Sequence, residues 1–259
     1  MRAHMPQKYC RNLPESELIP QLIAEAQERT REMIAKAPSE TRRTVRHPGR
    51  RAPTPASEAV DYDDKSLRTL RAEAEHCRNC PLWKNATQTV FGKGTDAAKI
   101  FFVGEQPGDQ EDLQGEPFVG PAGKLLDRAL EQAGIDRSAT YVTNAVKHFK
   151  FEPRGKRRIH KKPNEQEISA CHQWYERELK LVQPDLIVAL GATAARAVFG
   201  RATAIEVNRG RIIKPAASGQ VADVLVTVHP SYLLRVPDED KDEAFARFVE
   251  DLKLAAAYA

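Results

Sequence analysis

Ile100-Phe101-Phe102-Val103-Gly104-Glu105-Gln106-Pro107-Gly108-Asp109 is the stretch that decides the fold. Four apolar residues with no polar alternation read as a short strand buried on both faces, and it stops at Gly104 in a run of turn residues. The same punctuation recurs along the chain. Tyr141–Thr143 predicts a second strand, Leu186–Leu190 a third running into Gly191, and Val224–Val228 a fourth ending at His229-Pro230. Apolar spacing predicts helices from Lys65 to about His76, over Ala122–Gln132, from Asn164 to about Leu181, from Gly191 to about Phe199, and over Glu243–Ala256. Strands separated by helices imply an α/β fold of three layers, with a central, mostly parallel four-stranded sheet flanked by helices. Such sheets bind ligands beyond the carboxyl ends of their strands, so Glu105, Asn144 and His229 are expected to converge. Taken alone, Gly104–Asp109 is also readable as a plain strand-to-helix turn, since it lacks the glycine spacing of a dinucleotide or phosphate loop.

Upstream, Leu18, Ile19, Leu22, Ile23, Ala26, Met33 and Ile34 predict an amphipathic helix over residues 15–36. Pro38, Pro48, Pro53 and Pro55 break all periodicity after it. The chain therefore divides into an N-terminal helical extension (1–37), a basic, proline-rich linker (38–62) and one main domain (63–259). A hydrophobic content of 41% over 259 residues supports one substantial core. No stretch has the length and apolar character of a membrane span or a signal peptide, so a cytoplasmic protein is expected.

The net charge is only +4, so the position of the cations matters more than their sum. Arg42, Arg43, Arg46, Arg50 and Arg51 form one cluster; Lys147, Lys150, Arg154, Lys156, Arg157, Arg158, Lys161 and Lys162 form another. Both suit a polyanionic partner, although the linker arginines are equally readable as solvation of a tether. His160 closes the run Lys156-Arg157-Arg158-Ile159-His160. Neighbouring cations disfavour an imidazolium, and a neutral imidazole is a potential nucleophile; a solvated basic loop with an incidental histidine is the plainer alternative. The cysteines Cys10, Cys77, Cys80 and Cys171 are too few for a secreted disulfide framework. Cys77-x-x-Cys80 is a chelating pair, and thiolates suit either zinc or an iron–sulfur cluster.

Gly104–Asp109, Glu116–Gly123, Thr143-Asn144-Ala145-Val146-Lys147 and His229–Arg235 together resemble the iron-sulfur uracil-DNA glycosylases, in order and in approximate spacing. The resemblance runs from about Leu67 to the C-terminus. Gln106, His148 and the segment ending in Lys156–His160 resemble the UdgX branch, whose members become covalently attached to uracil-containing DNA. The stretch around Met5–Leu22 resembles the tail of a domain sometimes fused upstream of that branch. The resemblance implies a 4Fe-4S cluster on Cys77, Cys80, Cys171 and His148, the imidazole standing where ordinary members place a fourth cysteine. Cys10 is the alternative fourth ligand.

It also implies a division of labour at the pocket. Phe118 would stack on an extruded uracil, unless it is core packing; Asn144 would bond the Watson–Crick edge, with donors from the turn at Gln106. His229 would stabilise negative charge on the departing base. His160 would attack the anomeric carbon, with Glu105 orienting its ring and taking a proton and Asp109 in a supporting role. Arg158 would position the loop or hold a phosphate, while Ser231 and Arg235 would grip the backbone. The expected partner is uracil-containing DNA, single-stranded or duplex, bound by a monomer without a membrane. Two other readings remain: an ordinary turnover glycosylase, and a non-catalytic nucleic-acid-binding module with a structural cluster.

Overall fold

The structure, a computed structural model, describes residues 66–214 and 222–259. The expected N-terminal helix, the linker and Cys10 lie outside these residues. Helix α1 (Leu67–Glu75) begins at Ser66, whose hydroxyl accepts the Thr69 amide, and it leads directly to Cys77 and Cys80. The short edge strand β1 (Lys93–Gly94) precedes β2 (Ile100–Gly104), which is buried throughout. After the turn come α2 (Asp109–Gln114), α3 (Pro121–Ala133) and β3 (Tyr141–Asn144). A hairpin of β4 (Phe151–Arg154) and β5 (Arg157–His160) precedes α4 (Glu165–Val182), β6 (Leu186–Leu190) and α5 (Ala192–Phe199). The domain closes with α6 (Ile205–Asn208), β7 (Ile212–Ile213), β8 (Asp223–Thr227), α7 (Pro230–Leu233) and α8 (Lys241–Ala256).

The main sheet has the order β1-β3-β2-β6-β8-β7. Its four inner strands are the four predicted ones, and they run parallel. β1 and β7 pair antiparallel at the two edges, which makes the sheet six-stranded rather than four-stranded. Each edge strand is two residues long, too short to carry a periodic signal in the sequence. Phe101, Val103, Tyr141, Ile187, Val224 and Val226 pack into one core layer with Trp174 and Tyr175 of α4 and the three described cysteines. Ile100, Phe102, Val142, Val188 and Leu225 pack into the other, against Leu126 and Leu130 of α3 and Phe248 and Leu252 of α8. Burial on both faces explains why these strands read as unbroken apolar runs.

One expectation is corrected here. The segment read as a basic loop is an antiparallel hairpin, with Phe151 opposite His160 and Arg154 opposite Arg157 around Gly155 at φ +58°. Its order comes from tertiary contacts: Phe151 packs on Phe149 with 5.1 Å between ring centroids, and the Arg158 guanidinium lies 5.4 Å and 5.2 Å from those two rings. The turn after β2 leads straight into α2, as a strand-to-helix turn does. Asp109, Glu111 and Asp112 occupy the first turn of α2, where carboxylates complement the helix dipole.

Candidate active site

Register brings the site together. Gly104 pairs with Asn144, Val103 with Ala189, and Leu190 with Thr227, so the residues following β2, β3, β6 and β8 emerge side by side. A cavity of about 360 Å³ opens there, lined by Gln106, Gly108, Glu111, Phe118, Ala122, Asn144, His160, His229, Ser231 and Arg235. A Cβ on Gly104 would lie 2.3 Å from Asn144 Oδ1 and 2.6 Å from Phe118 Cζ, so only glycine lets both side chains cross the end of β2. Gly191, at φ +87°, likewise admits the close approach of His229, whose Cβ would stand 3.0 Å from an added Cβ.

Phe118 is held in the left-handed region at φ +57°. The Gly120 amide donates to Glu111 Oε1 at 2.8 Å and the Gly108 amide to Glu111 Oε2 at 3.1 Å, so one buried carboxylate ties the turn to the Phe118 segment. Gly123 passes so close that a Cβ would fall 1.8 Å from the Phe118 carbonyl oxygen. Backbone strain fixed from both sides places the ring 5.9 Å from the His229 ring, centroid to centroid. Asn144 is buried and its Oδ1 has no hydrogen-bond partner among the described residues. Behind it, the fully buried Lys147 ammonium donates to the Asn144 carbonyl at 2.8 Å, to Thr143 Oγ1 at 2.6 Å and to Glu178 at 2.5 Å. Lys147 thus leaves the expected basic patch and becomes an internal brace.

His229 Nδ1 accepts the Ser231 amide at 3.1 Å, and Ser231 Oγ lies 2.9 Å from the same nitrogen. A neutral ring that accepts at Nδ1 carries its proton at Nε2. Burial lowers the His229 pKa to about 4, and His160 and Arg235 add to that effect, so the ring is neutral at neutral pH. Ser231 therefore sets the His229 tautomer, and Arg235 reaches Ser231 Oγ at 3.4 Å.

His160 ends β5 at the mouth of the cavity, with Nε2 3.4 Å from Glu105 Oε1. Its pKa is lowered chiefly by burial, with Glu105 opposing and Arg235 reinforcing. The expected direction holds, but the cation responsible is Arg235 rather than the neighbouring basic run. Glu105 Oε2 accepts the Thr193 hydroxyl at 2.5 Å. Gln106 contributes its side chain to the scaffold: Nε2 donates to the Lys150 and Lys161 carbonyls, both at 3.1 Å, while Oε1 accepts the Lys150 amide at 3.2 Å. One amide thereby clamps the two strands at the open end of the hairpin.

Of the two roles expected for Arg158, its contacts match the positioning of the loop. Arg158 Nε bonds Asp109 at 2.6 Å and Nη1 bonds the fully buried Asp112 at 2.5 Å, so the guanidinium pins the hairpin. Asp109 is the exposed partner in that pin. Glu111, Asp112, Thr193 and the Lys147–Glu178 pair escaped the sequence reading. Only Glu111 left a local trace, the Gly108-x-x-Glu111 spacing of a helix start; the others act across the fold.

Among the described residues, no group of three or more His, Cys, Asp or Glu side chains is arranged to hold a single metal ion. Cys77, Cys80 and Cys171 nevertheless share one buried layer. Trp174 Nε1 donates to Cys77 Sγ and the Lys147 amide to Cys171 Sγ, each at 3.2 Å, contacts that favour sulfur carrying negative charge. Burial pushes the Cys171 thiol up to about 12 and raises that of Cys80, so thiolates there need a compensating cation. His148 is equally suggestive. Thr89 gives its single hydroxyl proton to the Ala74 carbonyl at 3.0 Å, so at 3.0 Å from His148 Nε2 it can only accept. That leaves His148 Nδ1 as a bare lone pair, buried and without a partner among the described residues. The pKa of this ring is lowered to about 4, chiefly by burial. This donor set fits a metal cluster.

Residues 91–253 match the Uracil DNA glycosylase superfamily, and the chain belongs to that superfamily. It is 37% identical over 200 residues to a type-4 uracil-DNA glycosylase of Thermotoga maritima, covering 76% of this chain and 97% of the relative. A type-4 uracil-DNA glycosylase of Archaeoglobus fulgidus is 35% identical over 192 residues, covering 72% and 93%. A type-5 uracil-DNA glycosylase of Pyrobaculum aerophilum is 32% identical over 184 residues, covering 64% and 76%.

Proposed function

We propose that this protein excises uracil from DNA and then holds the resulting deoxyribose covalently through His160. The observation that carries the second half is the placement of His160. The last residue of a hairpin clamped by Gln106 and pinned by Arg158 stands at the pocket mouth beside a carboxylate.

An extruded uracil would lie against Phe118. Asn144 Oδ1, buried without a donor, would accept the uracil ring N–H, while Nδ2 donates to the neighbouring carbonyl; cytosine offers an acceptor at that ring nitrogen and is rejected. As the glycosidic bond breaks, negative charge gathers on the base, and His229 supplies its Nε2–H as a neutral donor. His160 then bonds to the anomeric carbon. Its other ring nitrogen loses a proton to Glu105, so the adduct is a neutral imidazole and the base leaves with the bonding electron pair. Exposed cations of the hairpin, with Ser231 and Arg235, would meet phosphates, in single-stranded or duplex DNA and with one chain acting alone. Cys77, Cys80, Cys171 and His148, through Nδ1, would hold a 4Fe-4S cluster that ties the start of the domain to α4.

Heating the protein with uracil-containing DNA and resolving it on a denaturing gel tests the reading. Wild type should give a heat-stable shifted band. His160→Gly should give none, yet release free uracil, because water can enter the vacated space. An undiminished band in His160→Gly would overturn covalent capture by this residue. Uracil released beyond one equivalent of wild-type enzyme would instead establish an ordinary turnover glycosylase.

A further inference from the structure

We propose that Thr193 is a positioning residue for the reaction: its hydroxyl holds one oxygen of Glu105 so that the other faces His160. The inference rests on the reading of Glu105 as the group that takes the His160 proton. Thr193 sits in the first turn of α5, immediately after β6, and is buried. At the second position of a helix no carbonyl of the same helix lies one turn back to take the hydroxyl proton. The hydroxyl reaches sideways to Glu105 Oε2 at 2.5 Å. The contact exists because β2 and β6 are parallel neighbours, with Val103 opposite Ala189, so that Glu105 and Thr193 each emerge just past paired strand ends.

The backbone of Glu105 is fixed as well. Its carbonyl accepts the Val146 amide at 3.0 Å, and the preceding Gly104 carbonyl accepts the Ala145 amide at 3.0 Å. What remains free is the side chain, which has several staggered rotamers and is only partly buried. The Thr193 hydrogen bond selects one of them. With Oε2 engaged, Oε1 is the oxygen presented to His160 Nε2, 3.4 Å away. That gap is longer than a good hydrogen bond, so the pair is poised to close as the ring gains positive charge on attack. A carboxylate free to rotate would miss that moment in most of its conformers. A hydrogen bond to a charged acceptor is strong enough that losing it should slow the step roughly ten- to a hundredfold.

The decisive measurement is single-turnover formation of the heat-stable adduct with enzyme in excess, for Thr193→Val, Thr193→Ser and Glu105→Ala, each alongside thermal unfolding. Thr193→Val should lower the saturating rate constant roughly ten- to a hundredfold while leaving the half-saturating DNA concentration unchanged. Thr193→Ser, which keeps the hydroxyl, should restore most of it. In the Glu105→Ala background Thr193→Val should add nothing, because the group it positions is gone. Should the valine chain fail to fold, Thr193→Ala must show the same loss. A Thr193→Val rate within twofold of wild type, or an equal loss with Glu105 already removed, would overturn the inference. Absence of a heat-stable adduct in wild type would sink the His160 reading and this inference with it, whereas a wild-type adduct formed undiminished in Thr193→Val would overturn the inference alone.

Discussion

Replacing Asn144 with alanine should move stability and activity in opposite directions. Asn144 is buried, and its Oδ1 has no donor among the described residues. Deleting that atom relieves a desolvation cost of about 1–3 kcal/mol. The missing atoms face a cavity of about 360 Å³ that is already open, so the added void is small. The folded domain should therefore be as stable as wild type or up to about 2 kcal/mol more stable, which for a domain of this size raises the melting temperature by roughly 4–8 °C at most. Recognition goes the other way. The uracil ring N–H and carbonyl lose their partners, costing about 1–3 kcal/mol, or roughly a 5- to 150-fold slower single-turnover release of uracil. Thermal unfolding and a uracil-release time course on one preparation read both quantities. A variant that loses stability and activity together would show that Asn144 supports the fold instead of reading the base, and unchanged release would assign the reading to another residue.

Lys147→Met should strand the buried Glu178 carboxylate and cost about 3–5 kcal/mol in urea denaturation. Glu178→Gln added to it should recover part of the loss; a single variant weakened by less than about 1 kcal/mol would deny the brace. For His229, the folded-state pKa of about 4 lies below the ordinary 6.5, so the unfolded chain binds the proton first as pH falls. Its contribution to stability is full above pH 6.5 and is lost towards pH 4, up to about 3 kcal/mol, so wild type should lose more stability than His229→Gln over that window. Equal pH slopes for the two chains would refute this. Protein purified without oxygen should be brown and hold about four irons per chain, and His148→Cys should keep them. Stoichiometric zinc in a colourless, active preparation would exclude the cluster.

The sequence by itself determined the parallel core, because strands buried on both faces must be apolar without alternation and glycine or proline must end them. It therefore also determined that Asn144 and His229 would share one edge of the sheet with Glu105. The order of the hairpin was beyond it: β4 and β5 carry almost no apolar pattern, and what holds them is Gln106 and Asp112, dozens of residues upstream. Charge misled for the same reason. Lys147 reads as one more cation in a basic run, and only the fold supplies Glu178, Thr143 and a carbonyl to bury it against. The tautomers of His148 and His229, and the oxygen of Glu105 turned to His160, depend on hydrogen bonds with Thr89, Ser231 and Thr193. Two of those three partners are far away in the chain, and a donor's direction exists only once the backbone is placed, so tertiary structure alone decided which residues are poised for chemistry.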